Sequence, residues 1–207
     1  MCRENRLTEK YRNPVMILAD GALGQMMEKV VMRPAGSLPQ IEKPWATTGK
    51  LPTRERNILT SLFIVPERME EINLKLQDKY RRMRQEIRSE ETGIEDAEIL
   101  LVAFGLSARI CQKAIELARD KGIKVGLLRP ITLFPFPSEA IANIVPNVEA
   151  VLTVEMNSGQ MVEDVKLAVN GRKPVYFKGR MGGMIPTPDE IVLEIETIAE
   201  KNRVVQV

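Results

Sequence analysis

From about residue 91 onward, continuous apolar runs alternate with amphipathic stretches. Residues 98–104 (EILLVAF), 124–128 (KVGLL), 150–155 (AVLTVE) and 175–177 (VYF) are short apolar runs bounded by turn residues, the pattern of strands buried on both faces. Between them, 108–121 places Ile110, Ala114, Leu117 and Ala118 on one helical face, with Ser107 as its expected N-cap and Gly122 as its stop. Further helices are predicted over 138–145 and 160–169. The last one, about 188–202, is announced by Thr187-Pro188-Asp189-Glu190, a capping-box start with proline at the first helical position. Strands alternating with helices imply a mostly parallel sheet covered on both faces, an α/β architecture in three α/β/α layers. Residues 204–207 are expected to form a short strand or a tail.

The first 90 residues read differently. Residues 4–12 suit the end of a polar helix, broken by Asn13-Pro14. Val15-Met16-Ile17-Leu18-Ala19 then predicts a buried strand, Asp20-Gly21 a turn, and 22–31 a short Met-rich helical piece. One strand and two short helices cannot close a core, so 1–32 reads as the C-terminal remnant of a second α/β domain. Residues 33–90 form a connector. Pro34, Pro39, Pro44 and Pro52, with Gly36 and Gly49, predict an extended arm. It carries the only tryptophan, Trp45, which is expected to lie against a protein surface. Pro66 opens a helix reaching about Arg88, with Met69, Ile72, Leu76, Tyr80, Met83 and Ile87 as a narrow apolar stripe. The domain boundaries are therefore 1–32, 33–90 and 91–207.

Composition narrows the chemistry. Among 207 residues there is no histidine, which excludes Ser-His-Asp and Cys-His catalysis and His-ligated zinc within this chain. Its two cysteines, Cys2 and Cys111, are too few for an iron–sulfur cluster or a disulfide framework. A net charge of +2 argues against a nucleic-acid binder. No apolar run approaches the roughly 20 residues that span a bilayer, and no secretory signal opens the chain, so neither a membrane nor export is expected and the setting is cytoplasmic.

Four stretches are candidates for chemistry. Asp20-Gly21 has half the look of a magnesium–diphosphate turn, but Ala19 replaces the leading glycine and no Asn pair follows near Thr47, Thr48 and Gly49, so it reads as a plain turn. Phe104-Gly105-Leu106-Ser107 joins a strand to a helix and can hold an anion on backbone N–H groups, but lacks the three-glycine fingerprint. Glu155, Asn157 and Gln160 lie at the C-terminal end of a strand, the edge where open α/β sheets bind ligands and partners, though clustered polar residues there can equally just satisfy a turn and cap. Arg180, Gly182 and Gly183, flanked by Met181 and Met184, suit a loop that meets another subunit. These six residues and Trp45 are the interface or ligand-loop candidates. No catalytic, cofactor-binding or metal-ligating residue is identified. Cys111 reads as a small core residue.

Several stretches in order resemble one family: Lys10-Tyr11-Arg12-Asn13-Pro14-Val15-Met16-Ile17-Leu18 with Leu23-Gly24-Gln25-Met26-Met27; Lys43-Pro44-Trp45; Arg129-Pro130-Ile131-Thr132-Leu133 with Phe134-Pro135-Phe136-Pro137; Val154-Glu155-Met156-Asn157 with Gly159-Gln160-Met161; and Gly179-Arg180-Met181-Gly182-Gly183. The chain resembles the α subunit of a 2-oxoacid:ferredoxin oxidoreductase, of the type acting on 2-oxoisovalerate or 2-oxoglutarate. The resemblance implies oxidative decarboxylation on thiamine diphosphate, acyl transfer to coenzyme A, and electron transfer through iron–sulfur clusters to ferredoxin. It implies a pyrimidine-binding domain ending within 1–32, and a transketolase C-terminal-like domain over 91–207 with five strands, one an antiparallel edge. It further implies partners in the β and γ/δ subunits and pairing of α subunits as a homodimer. Thiamine diphosphate, magnesium and the clusters would belong to the whole complex, with none held by this chain alone. The competing reading is a freestanding α/β module that binds a small anion through 105–109 or 179–184. The orphan strand at 15–19 and the Trp-bearing arm favour the first, since such a module needs neither.

Overall fold

The computed structural model describes residues 2–32 and 42–205. Pro34, Gly36 and Pro39 of the predicted arm, and Gln206 and Val207 of the predicted tail, lie outside the described residues. The helices are α1 (Cys2–Tyr11), α2 (Gly21–Gln25), α3 (Pro66–Met83), α4 (Gly105–Asp120), α5 (Ser138–Ile144), α6 (Met161–Val169) and α7 (Pro188–Val205). The strands are β1 (Ser89–Thr92), β2 (Ile99–Ala103), β3 (Val125–Pro130), β4 (Ala150–Glu155) and β5 (Val175–Gly179). Two compact units result. One combines Met1–Leu18 with Met26–Gln85, the other Ala19–Gln25 with Glu86–Val207.

The second unit is the expected three-layer α/β/α body. Its sheet has the order β1-β3-β2-β4-β5, with β1 antiparallel to β3 and every other pairing parallel. Alternation along β2 divides its side chains between the two layers. Ile99, Leu101 and Ala103 pack with Ala108, Cys111 and Ala114 of α4 and with Ile191 and Ile195 of α7. Leu100 and Val102 pack with Ile141 of α5 and Val165 of α6. Every residue of β2 and β4 is buried, which accounts for runs without polar alternation.

Three predictions in this unit are corrected. The fifth strand is Ser89–Thr92, a segment not among the predicted strands, and Val204 and Val205 belong to α7, which continues to Val205. Ser107 is not the N-cap. It is buried in the first turn of α4, which starts at Gly105 with extended Phe104 in the cap position. The earlier start has a physical reason: a carboxylate remote in sequence, Asp20, accepts the Leu106 N–H at 3.3 Å. The capping box of α7 forms as predicted, Glu190 N–H donating to Thr187 Oγ1 (3.3 Å) and Thr187 N–H to Glu190 Oε2 (3.0 Å).

In the first unit α3 begins at Pro66 as expected, and its α-helical part ends at Met83, followed by a 3-10 turn, Arg84–Glu86. Tyr11 and Met83 are buried, and the Tyr11 hydroxyl donates to the Arg82 carbonyl at 3.3 Å. Lys79 donates to Asn13 Oδ1 at 3.1 Å. Trp45 is half-buried, with the Arg12 guanidinium 4.6 Å from its ring centre. The arm is thus partly covered, as an indole requires. The strand expected at 15–19 does not form. The segment is irregular, Met16 being 79% and Ile17 64% exposed. Among the described residues no strand pairs with it, and an apolar run without a hydrogen-bonding neighbour is not a strand.

Candidate functional site

The C-terminal ends of β2 and β4 face the starts of α4 and α6, so the predicted residues of this edge can be placed one by one. Glu155 ends β4 and is 1% exposed. One carboxylate oxygen accepts the Met161 N–H (2.9 Å), the Gln160 N–H (3.4 Å) and the Asn157 amide (3.0 Å), and the other accepts the Val162 N–H (2.9 Å). These are the orphan donors at the head of α6, where negative charge is favoured. Asn157 Oδ1 accepts the Gly159 N–H at 2.7 Å, closing the turn, while the Gln160 side chain is exposed. Glu155, Asn157 and the Gln160 backbone therefore form one constellation. Its donors and acceptors satisfy one another rather than face a ligand.

Gly179 permits this packing. A Cβ there would lie 2.5 Å from the Asn157 carbonyl oxygen, a distance no side chain tolerates. From Gly179 the chain runs into Arg180, whose backbone N–H donates to the Glu155 carbonyl at 3.2 Å. The Arg180 guanidinium turns to α7 and pairs with Glu190 Oε1 at 2.5 Å. Glu190 thus serves twice, as capping residue and as counter-ion. The Thr187 backbone N–H, aided by the charges of Arg180 and Lys178, holds its carboxyl below the usual carboxylate range. Gly182 and Gly183 both have positive φ, 65° and 85°, with open space where a side chain would be. Met181 and Met184 beside them are exposed. Trp45 belongs to the other compact unit.

Two residues outside the predicted set matter at this edge. Asp20 accepts the Leu23 N–H on Oδ1 (2.8 Å) and the Leu106 N–H on Oδ2 (3.3 Å), so a side chain of this chain occupies the head of α4. Only half of that is legible: Asp20 three residues before Leu23 is a local cap signal, but nothing links it to a residue 86 positions away. Glu190 was legible as a cap and not as the partner of Arg180.

The residues around Asp20 do not fit a magnesium–diphosphate group, because both carboxylate oxygens are bound to backbone N–H groups. Thr48 Oγ1 accepts from Arg54 at 3.1 Å. Among the described residues no three His, Cys, Asp or Glu side chains come together in a way that would hold a metal ion. Cys111 is fully buried in the α4 layer, and burial pushes its thiol up to about 12, out of range for a thiolate nucleophile. Among the described residues no helix is long and apolar enough to cross a membrane.

Residues 97–191 match the family model of pyruvate:ferredoxin oxidoreductase core domain II. They belong to that domain family. Core domain II here comprises β2 to β5 and the helices between them. The likeness extends beyond it. Ketoisovalerate oxidoreductase subunit VorB of Methanothermobacter marburgensis is 46% identical over 194 residues, 93% of this chain and 54% of that protein. 2-Oxoglutarate synthase subunit KorA of the same organism is 28% identical over 219 residues, 93% of this chain and 58% of that protein. The chain spans about half the length of these relatives. A solved 2-oxoglutarate:ferredoxin oxidoreductase from Magnetococcus marinus superposes with a TM-score of 0.57 at 20% identity, over 65% of this chain and 24% of that one, a shared fold. The chain is thus a relative of 2-oxoacid:ferredoxin oxidoreductase subunits.

Proposed function

We propose that this chain is part of the α subunit of a thiamine-diphosphate-dependent 2-oxoacid:ferredoxin oxidoreductase, and that this portion serves assembly of the complex. The observation that carries the reading is 46% identity to a ketoisovalerate oxidoreductase subunit across 93% of the chain. The overall reaction would be oxidative decarboxylation of a branched-chain 2-oxoacid or of 2-oxoglutarate: the acyl group goes to coenzyme A, carbon dioxide leaves, and two electrons pass to ferredoxin. Thiamine diphosphate, magnesium and the iron–sulfur clusters would be held by other parts of the complex, in a cytoplasmic setting. In this reading 1–32 is the end of a pyrimidine-binding domain, 33–90 a connector and 91–207 a transketolase C-terminal-like domain. Trp45, Glu155, Asn157, Gln160, Arg180, Gly182 and Gly183 mark or support surfaces that meet the β and γ/δ subunits or a second copy of the chain.

Two features support assembly over local chemistry. The Asp20 and Glu155 carboxylates at the heads of α4 and α6 are bound to the chain's own backbone N–H groups, so a small anion at either helix start would have to displace them. The first unit meanwhile leaves Ile17, Val30, Val31, Ile58, Leu62 and Ile64 exposed, a display that water disfavours and an interface would cover. The test is co-expression with the thiamine-binding and cluster-binding subunits of the same organism. Co-purification of this chain with both, and no micromolar binding of thiamine diphosphate with magnesium by the chain alone in calorimetry, is the expected result. Purification of an active complex without the chain, or tight cofactor binding by the chain alone, would overturn it.

A further inference from the structure

The two helices that start at the sheet edge are capped in opposite ways. The head of α6 is closed by Glu155, a neighbour in sequence that is fully buried. The head of α4 has no acidic residue in its first turn and no side-chain cap of its own. Its acceptor comes from Asp20, half-buried, through one hydrogen bond to the Leu106 N–H at 3.3 Å.

The segment that delivers Asp20 is short. Ala19–Gln25 groups with the α/β unit, whereas the residues before and after it group elsewhere. Its helix α2 has five residues, none of them buried. Apolar packing therefore contributes little to holding it. The half-buried Leu23 reaches toward Gly105, where an added Cβ would lie 3.7 Å from its Cδ1 and 3.4 Å from Asp20 Oδ2. Asp20 also organises the segment itself: its Oδ1 accepts the Leu23 N–H at 2.8 Å, and its carbonyl accepts the Gly24 N–H at 3.1 Å.

We propose that Ala19–Gln25 is a releasable strap and Asp20 its latch, a single carboxylate that caps α2 and α4 together and fastens the segment to the α/β unit. One latch suffices because the charge sits where the backbone N–H groups of α4 concentrate positive potential. It is releasable because it is half-exposed and screened by salt, unlike Glu155. Lifting the strap would uncap α4 without disturbing the sheet, whose layers pack independently of it.

Amide exchange on the full chain, resolved by residue, tests this. In Asp20→Ala the Leu106, Leu23 and Gly24 amides should exchange about tenfold faster, the scale of a lost helix cap, while Val151 and Val154 in β4 keep their protection. Asp20→Asn retains an acceptor without the charge and should fall between. In the wild-type chain, raising salt from low to molar concentration should speed Leu106 exchange and leave Met161 and Val162, capped by buried Glu155, unchanged. Unchanged Leu106 exchange in Asp20→Ala would overturn the latch. So would acceleration spread equally over β4, which would make Asp20 a support of the whole fold. If Asp20→Ala does not fold, the wild-type salt series decides alone, and equal salt sensitivity at α4 and α6 would overturn the proposal.

Discussion

Ile99-Leu100-Leu101-Val102-Ala103 and Val15-Met16-Ile17-Leu18-Ala19 are nearly the same word: five apolar residues, branched and unbranched, ending in alanine. The first is β2, with no residue more than 1% exposed and parallel neighbours on both sides. The second is irregular and largely in water. Intrinsic preference is alike, so what separates them is company. A strand's amide groups need a partner on each side and its side chains need a covering layer, and β2 has both within its own unit. An apolar run specifies a demand for burial, and the rest of the chain decides whether the demand is met.

The largest test of that difference is folding in isolation. A fragment comprising 86–207 should fold cooperatively, because it contains β1 to β5 and both helical layers, whereas 1–65 should show little protected structure. Circular dichroism and amide exchange of the two fragments decide it. A protected 1–65, or an unfolded 86–207, would remove the contrast. The second test uses single residues. Leu152→Ala in the middle of β4 should cost about 2–5 kcal/mol through lost burial and the cavity left behind. Ile17→Ala, 64% exposed, should stay within about 0.5 kcal/mol. Urea unfolding measures both, and comparable losses would mean that 15–19 is covered in solution.

Covering by a second copy is the third test. If the first unit's exposed side chains are an assembly surface, the chain should sediment as a dimer at micromolar concentration. Leu62→Ser and Ile64→Ser, at two of those exposed side chains, should then weaken it roughly tenfold each, one well-buried side chain being worth about 1.5–3 kcal/mol. A clean monomer, or a dimer indifferent to both, would count against a second copy of the chain as the cover of that surface.

How far the sequence carried this molecule follows from the same principle. The four parallel strands and the helices around them were legible because their signals are local: apolar runs of strand length, amphipathic spacing, and the Thr187–Glu190 box. The antiparallel edge strand was not read from its residues. Ser89-Glu90-Glu91-Thr92 is polar because it has one neighbour and faces water, so it lacks the signature of its buried partners. Asp20 and Ser107 failed together. A cap was assigned to the nearest serine, since no local pattern announces a carboxylate arriving from far along the chain. At the candidate site the sequence places Glu155, Asn157 and Gln160 at the end of a strand, but whether such groups face outward or bind their own helix is settled by tertiary structure.

Helix starts give a fourth, smaller contrast. α7 opens on a reciprocal cap, whereas α3 opens on Val65, extended and without a side-chain bond, and relies on Pro66. Thr187→Ala should therefore cost about 0.5–2 kcal/mol, and Val65→Ser should gain up to about 1 kcal/mol. Thermal unfolding followed by helix signal reads both. No loss in Thr187→Ala would mean that the Arg180–Glu190 pair alone secures the start of α7.

That pair sets the smallest effect, a dependence on pH confined to one helix start. Glu190 has its carboxyl held below the usual range, first by the Thr187 N–H and then by the charges of Arg180 and Lys178. A carboxyl depressed in the folded state stabilises folding above its unfolded value, about 4.3, and the contribution is lost as pH falls through the lower folded value. Wild type should therefore exceed Glu190→Gln in stability from neutral pH down to about pH 5, and the gap should close below about pH 4. Glutamine keeps an acceptor for the Thr187 N–H, so the gap isolates the charge and should be smaller than the loss in Thr187→Ala. Urea midpoints of the two proteins between pH 3 and 7 supply the measurement. A gap that stays constant to pH 3 would mean that the charge of Glu190 contributes nothing and that shape alone closes the Arg180 loop onto α7.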